Sequence, residues 1–133
     1  MIPEYPSGPI LLDTEAVIWA VLEPERLSSF VRQVCELPEY ELCVSVASFW
    51  EIVIKVQSGK WLVTDPVLWF LKWTQGMRYL PIGYKDVADL AKLPAIHKDP
   101  FDRIILAQAL QNKMPLVTSD RKMLQDPDIR FVW

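Results

Sequence analysis

Apolar positions along this chain follow two spacings in turn. Short runs rich in Leu, Ile and Val read as strands: Pro9 to Asp13, Glu41 to Val44, Arg78 to Ile82 and Pro115 to Thr118, with Asp128 to Trp133 as a further edge strand. Between them the spacing is helical. Helices are expected over Thr14 to Leu22, Ser28 to Glu36, Val46 to Gln57, Asp65-Pro66 to about Gln75, Tyr84 to Leu93, Asp99-Pro100 to Asn112, and briefly over Ser119 to Leu124. Pro24, Gly59 and Gly76 supply stops. Asp65-Pro66 and Asp99-Pro100 each set a capping acid before a proline at the first helical position. Alternating strands and helices predict an α/β fold around a mainly parallel sheet of four to five strands. No repeat, low-complexity tract or linker interrupts the chain, so one domain spanning 1–133 is expected.

Four acids stand at the ends of apolar segments or inside them: Asp13, Glu51, Asp102 and Asp120. A carboxylate in such a place costs free energy unless something pairs with it. Asp13 and Asp120 fall at the carboxyl ends of the first and fourth strands, where open α/β sheets bind ligands. Asp102 lies in the first turn of its helix and Glu51 one to two turns into the third. All four can therefore meet at one rim, and the economical partner for such a set is a hard divalent cation, Mg²⁺ or Mn²⁺.

Each acid also has a local explanation. Asp13 beside Thr14 reads equally as a helix N-cap. Ser48-Phe49-Trp50-Glu51 matches a capping box, and Glu51 with Lys55 makes a favourable i,i+4 pair. Against the box, the apolar pattern starts earlier, which makes Ser45 the better cap. Asp99 reads as the cap of its helix, which leaves Asp102 as the ligand, kept ionised by the helix dipole. Asp120 can be a first-turn acid, with Thr118 or Ser119 as cap or as a hydroxyl for phosphate or metal-bound water.

Composition narrows the chemistry. Apolar residues make up 51%, with six Trp, enough to leave apolar surface for a partner. The stretch Val67 to Trp73 is apolar almost all round, which favours a partner on its second face. The net charge of −3 argues against a generally basic nucleic-acid binder, although a bound cation inverts the local sign. Lys55, Lys60, Lys98, Arg103, Arg121 and Lys122 cluster near the proposed rim, a ring that can hold a phosphate backbone or simply a solvated surface. The lone His97 has no nucleophile elbow to serve, and orders the loop before Asp99 or touches substrate. Gly-rich phosphate loops and zinc spacings are absent. Cys35 and Cys43 read as small buried hydrophobes in a reducing cytosol. With neither a signal peptide nor a spanning apolar run, a cytoplasmic protein with no membrane association is expected.

The stretches LLDTEAVIW (11–19), SVASFWEIVIKVQSGK (45–60), LPI (80–82), LPAIHKDPFDRIILAQA (93–109) and LVTSD (116–120) resemble the PIN-domain family, and within it the VapC-type toxins of bacterial toxin–antitoxin pairs. The most specific piece is the HxDPFDR-type segment with its Ile/Leu-rich helix. The resemblance implies a three-layer α/β/α sandwich and a Mg²⁺- or Mn²⁺-dependent endoribonuclease. It maps the family's acidic site onto Asp13, Glu51, Asp102 and Asp120. It also implies a small antitoxin partner and a homodimer. Glu15 departs from the family, where His is frequent, and Met123 stands where an aromatic is common. Beside this reading stand two rivals: phosphotransfer at a strand-end Asp, and a non-catalytic binding module.

Overall fold

The computed structural model describes residues 8–93, 99–120, 122–123 and 126–133. Five strands form one sheet: β1 (Gly8–Leu12), β2 (Tyr40–Ser45), β3 (Arg78–Leu80), β4 (Leu116–Val117) and β5 (Phe131–Val132). Their order is β3-β2-β1-β4-β5 and every pairing is parallel. The chain first steps outward from β1 through β2 to β3. It then crosses back to place β4 on the other side of β1, so the strand order reverses between β1 and β4.

Alternation along β1 divides the interior in two. Ile10 and Leu12 face a core built with Ala16, Val17, Val31, Val34, Ile52 and Phe70. Leu11 faces the other, with Cys43, Leu80, Leu116 and the buried face of residues 104–109. Helices α1 (Thr14–Leu22), α2 (Ser29–Glu36) and α4 (Pro66–Trp73) contribute to the first core, and α6 (Pro100–Asn112) to the second. Helix α3 (Val46–Gln57) sends Ile52 to one side and Ala47 to the other. Helix α5 (Tyr84–Asp89) packs beside α6. The result is the three-layer α/β/α arrangement expected.

Predicted caps form: Ser45 accepts from Ala47 N at 3.0 Å, and Asp65 from Val67 N and Leu68 N at 3.1 Å each; Ser28, read as the first helical residue, instead caps α2 by accepting from Val31 N at 3.0 Å. Gly59 has φ +77°, the left-handed geometry its C-terminal position requires. Several elements are shorter than their apolar pattern. Strand β3 stops at Leu80 because Pro81 brings no N–H to the ladder. Helix α4 stops at Trp73, where Thr74 bonds back to Phe70 O at 2.7 Å. Helix α5 gives way to a 3-10 turn at Leu90–Lys92. Of the helix predicted over Ser119 to Leu124, Arg121 and Leu124 lie outside the described residues. Cys43 is buried, but Cys35 is only half-buried; burial raises the thiol pKa at both, to about 11 at Cys35. No helix among the described residues is long and apolar enough to cross a membrane.

Candidate active site at the carboxyl rim

Asp13 leaves β1 at the point where strand order reverses. Its backbone N–H donates to Val117 O at 3.0 Å, which ties it to the end of β4. Its Oδ1 accepts from Ala16 N at 2.8 Å, so it caps α1 as well as facing the rim. The two readings of Asp13 are compatible, because one carboxylate has enough lone pairs for both tasks. Asp13 is 5% exposed, and burial lifts its pKa to about 6. The Thr118 hydroxyl and the Ala16 N–H oppose that rise, while the charges of Glu15 and Asp120 add to it.

Thr118 links the two strand ends. Its fully buried hydroxyl accepts from Asp120 N at 3.0 Å and lies close enough to Asp13 to favour the ionised form of that carboxyl. The hydroxyl donates to Met123 Sδ at 3.6 Å. Asp120 Oδ1 in turn accepts from Lys122 N at 2.9 Å, which bends the loop after β4. Ser119, the other hydroxyl offered by the sequence, is half-buried. The bridging group is Thr118, two residues before Asp120.

Asp99 and Asp102 divide their roles along α6. Asp99 Oδ1 accepts from Phe101 N at 2.9 Å and Asp102 N at 3.1 Å, and so caps the helix. Asp102 is left facing the rim. Burial raises its pKa to about 8, reinforced in decreasing order by Asp99, Glu51, Asp13 and Asp120. The charges of Glu51, Asp13 and Asp120 are thus felt at Asp102.

Glu51 lies within α3, not in a capping box. Ser45 caps the helix, and Ser48 Oγ meets Thr14 Oγ1 at 2.9 Å in the buried seam between α3 and α1. Glu51 Oε2 pairs with Lys55 Nζ at 3.5 Å. Glu51 Oε1 is buried with no hydrogen-bond partner among the described residues. Its position one helical turn past Ser48 turns it toward the same rim.

The basic ring takes a different form from the one expected. The Arg103 guanidinium donates to Leu90 O at 2.9 Å, fastening α6 to the 3-10 turn instead of standing free at the rim. Lys55 is engaged with Glu51. His97, Lys98 and Arg121 lie outside the described residues. Trp50 is half-exposed beside Glu51 and packs edge-on against Phe101, with ring centroids 4.9 Å apart.

An orphaned buried carboxylate oxygen and two carboxyls whose pKa values are raised by burial first and by neighbouring charge second match what an oxygen-binding cation relieves. Among the described residues, no three acidic, His or Cys side chains are drawn close enough to hold one ion as they stand.

Comparison with known proteins agrees with this layout. A family model described as PIN domain matches residues 10–128. Ribonuclease VapC22 of Mycobacterium tuberculosis is 32% identical over 116 residues, covering 86% of this chain and 88% of that protein. In fold, the chain is similar to DNA-bound VapBC from Salmonella typhimurium, with a TM-score of 0.73 at 17% identity over 93% of this chain and 96% of that one. It is also similar to VapBC2 from Rickettsia felis bound to a promoter DNA fragment, with a TM-score of 0.71 at 13% identity over 93% and 97%. The order of the elements, the rim of acids and the match along nearly the whole chain lead to one assignment: the protein belongs to the PIN-domain family, beside the VapC-type members it resembles.

Proposed function

We propose that this chain is an endoribonuclease that uses Mg²⁺ or Mn²⁺ and acts as the toxin of a toxin–antitoxin pair. The observation that carries the reading is Asp13 at the carboxyl end of β1, tied through Val117 O to the end of β4, which leads to Asp120, at the point where strand order reverses. In this reading Asp13, Asp102, Asp120 and Glu51 hold the cation. When bound, the metal supplies Lewis acidity and charge neutralisation for phosphodiester hydrolysis.

The chain's own groups do the positioning. Thr118 favours the ionised form of Asp13 and holds the backbone of Asp120 through its hydroxyl. The Ala16 N–H and the start of α1 favour the ionised form of Asp13 against its burial. Glu51 would bind the metal or orient the attacking water. Asp99, spent on its cap, stays outside the set. Thr14 and Ser119 are secondary contacts, and Lys55, His97, Lys98, Arg103 and Arg121 are substrate-contact candidates, with Arg103 the least free to reach RNA.

The antitoxin part of the reading draws on the apolar surface of α4. Val67, Leu68, Leu71 and Trp73 are exposed on a helix that buries Phe70. An amphipathic segment of a small protein partner fits that ridge. A homodimer belongs to the same reading, and light scattering tests it.

The test of function is cleavage of RNA by the purified protein with Mn²⁺ or Mg²⁺, its loss in EDTA and its return on metal addition. Cleavage that persists in EDTA, or no cleavage under any metal, overturns the reading.

A further inference from the structure

Helix α3 is fixed as a body. Ala47, Ser48 and Ile52 are fully buried. Ser48 bonds Thr14 of α1 at 2.9 Å, and Phe49 stacks on Phe70 of α4 with ring centroids 4.7 Å apart. What is left to move at the rim is the side chain of Glu51, and its charge is poorly served where it stands. Oε1 is buried and receives no hydrogen bond among the described residues, while Oε2 pairs with Lys55 Nζ at 3.5 Å. A carboxylate only 14% exposed, with one ion pair and one unmet oxygen, is disfavoured unless a better cation reaches it.

Lys55 is in the opposite situation. Its side chain is 37% exposed and sits in the last turn of α3, where the helix dipole favours a cation. Water and the dipole satisfy its charge with or without Glu51. The pair is therefore one-sided: Glu51 needs a cation, and Lys55 does not need Glu51. As they stand, moreover, the acids of the rim do not close around one ion.

We propose that Lys55 is a stand-in cation for Glu51 in the metal-free protein, and that Glu51 exchanges Lys55 for the divalent ion when the ion binds. The exchange gives Glu51 a cation that takes oxygen ligands directly and ends the isolation of Oε1. It also delays the gathering of four like charges until something is present to neutralise them. Lys55, once released, keeps its charge beside the rim for a phosphate. The exchange rests on the metal-dependent reading above and gives Lys55 a positioning task that precedes substrate.

The test uses the intact protein without RNA. Mn²⁺ affinity is measured by calorimetry, and stability by urea unfolding with and without Mn²⁺, for wild type, Lys55→Met, Lys55→Arg, Glu51→Gln and the Lys55→Met/Glu51→Gln double variant. Lys55→Met is expected to tighten Mn²⁺ binding by about two- to fivefold, the worth of a partly exposed ion pair. Lys55→Arg, which keeps the pair, is expected to retain the wild-type affinity. Lys55→Met is expected to lower the folding equilibrium constant of the metal-free protein by the same factor and to leave the Mn²⁺-saturated protein unchanged. In the Glu51→Gln background the same substitution is expected to leave Mn²⁺ affinity unchanged, because the pair is already gone. Tightening that persists in that background shows plain repulsion between Lys55 and the ion, and overturns the exchange. Weaker binding by Lys55→Met shows a clamp that Glu51 keeps in the bound state, and overturns it as well, as does unchanged affinity. The two readings fail separately. A chain that binds Mn²⁺ and cuts RNA but ignores Lys55→Met loses the exchange alone. One that shows the exchange but cuts no RNA loses the nuclease reading alone, and one that binds no Mn²⁺ loses both.

Discussion

The hydroxyls of Thr14 and Ser48 meet at 2.9 Å in the buried seam between α1 and α3. Thr14 follows Asp13 directly, and Ser48 precedes Glu51 by one helical turn, so one hydrogen bond sets the register of two acids from different elements. Ser48→Ala leaves a buried hydroxyl unsatisfied and is expected to cost about 1–3 kcal/mol. Urea unfolding measures this. Thr14→Val combined with Ser48→Ala is expected to recover part of the loss, because no orphan then remains. Additive losses would show that the bond itself is unimportant.

Charge at the rim opposes folding when no metal is present. Asp13 and Asp102 have folded-state pKa values of about 6 and about 8, above the ordinary carboxylate value. As pH rises the unfolded chain therefore releases these protons first. Their contribution to stability is complete below pH ~4 and is lost as pH climbs through about 6 and then about 8. The Tm of the metal-free protein is expected to fall over this window, and Asp102→Asn to flatten its upper part. Mn²⁺ is expected to raise Tm more at the alkaline end, where both groups are ionised. A Tm gain from Mn²⁺ that is larger at the acid end contradicts this account.

Glu51→Gln separates stability from metal affinity. The change removes a charge whose Oε1 lacks a donor, so the metal-free protein is expected to be as stable as wild type or slightly more so. Mn²⁺ affinity, measured calorimetrically, is expected to drop by about tenfold or more. Unchanged affinity would remove Glu51 from the site.

On α4, Leu68 and Leu71 are 65% and 47% exposed. Replacing both with Glu is expected to weaken antitoxin binding by at least about tenfold, since buried apolar anchors dominate such interfaces. RNA cleavage by the free protein is expected to stay unchanged. Full binding by the double variant would move the antitoxin to another face.

What was legible in the sequence was whatever neighbouring residues decide. Ser45, Asp65 and Asp99 announce their caps through the polar residue before an apolar run, and the structure forms all three. The strand ends at Asp13 and Asp120 follow from short Leu- and Val-rich runs. The bonds across the site were not legible in the same way. Thr118 reaches Asp13 only because β4 lies beside β1, and strand order leaves no local trace. The capping-box reading of Glu51 was open until Ser45 took the cap and Ser48 turned to Thr14. Arg103 looked like a rim cation because nothing near it in sequence announces the carbonyl of Leu90, thirteen residues away.

Asp13→Asn tests the central claim most directly. Asn caps a helix as well as Asp does, so the bond from Ala16 N and the fold are expected to survive. The charge at the rim is lost. RNA cleavage with Mn²⁺ is expected to fall by about a hundredfold or more while the unfolding transition stays cooperative. Undiminished cleavage by correctly folded Asp13→Asn protein would contradict the assignment of this rim as the active site.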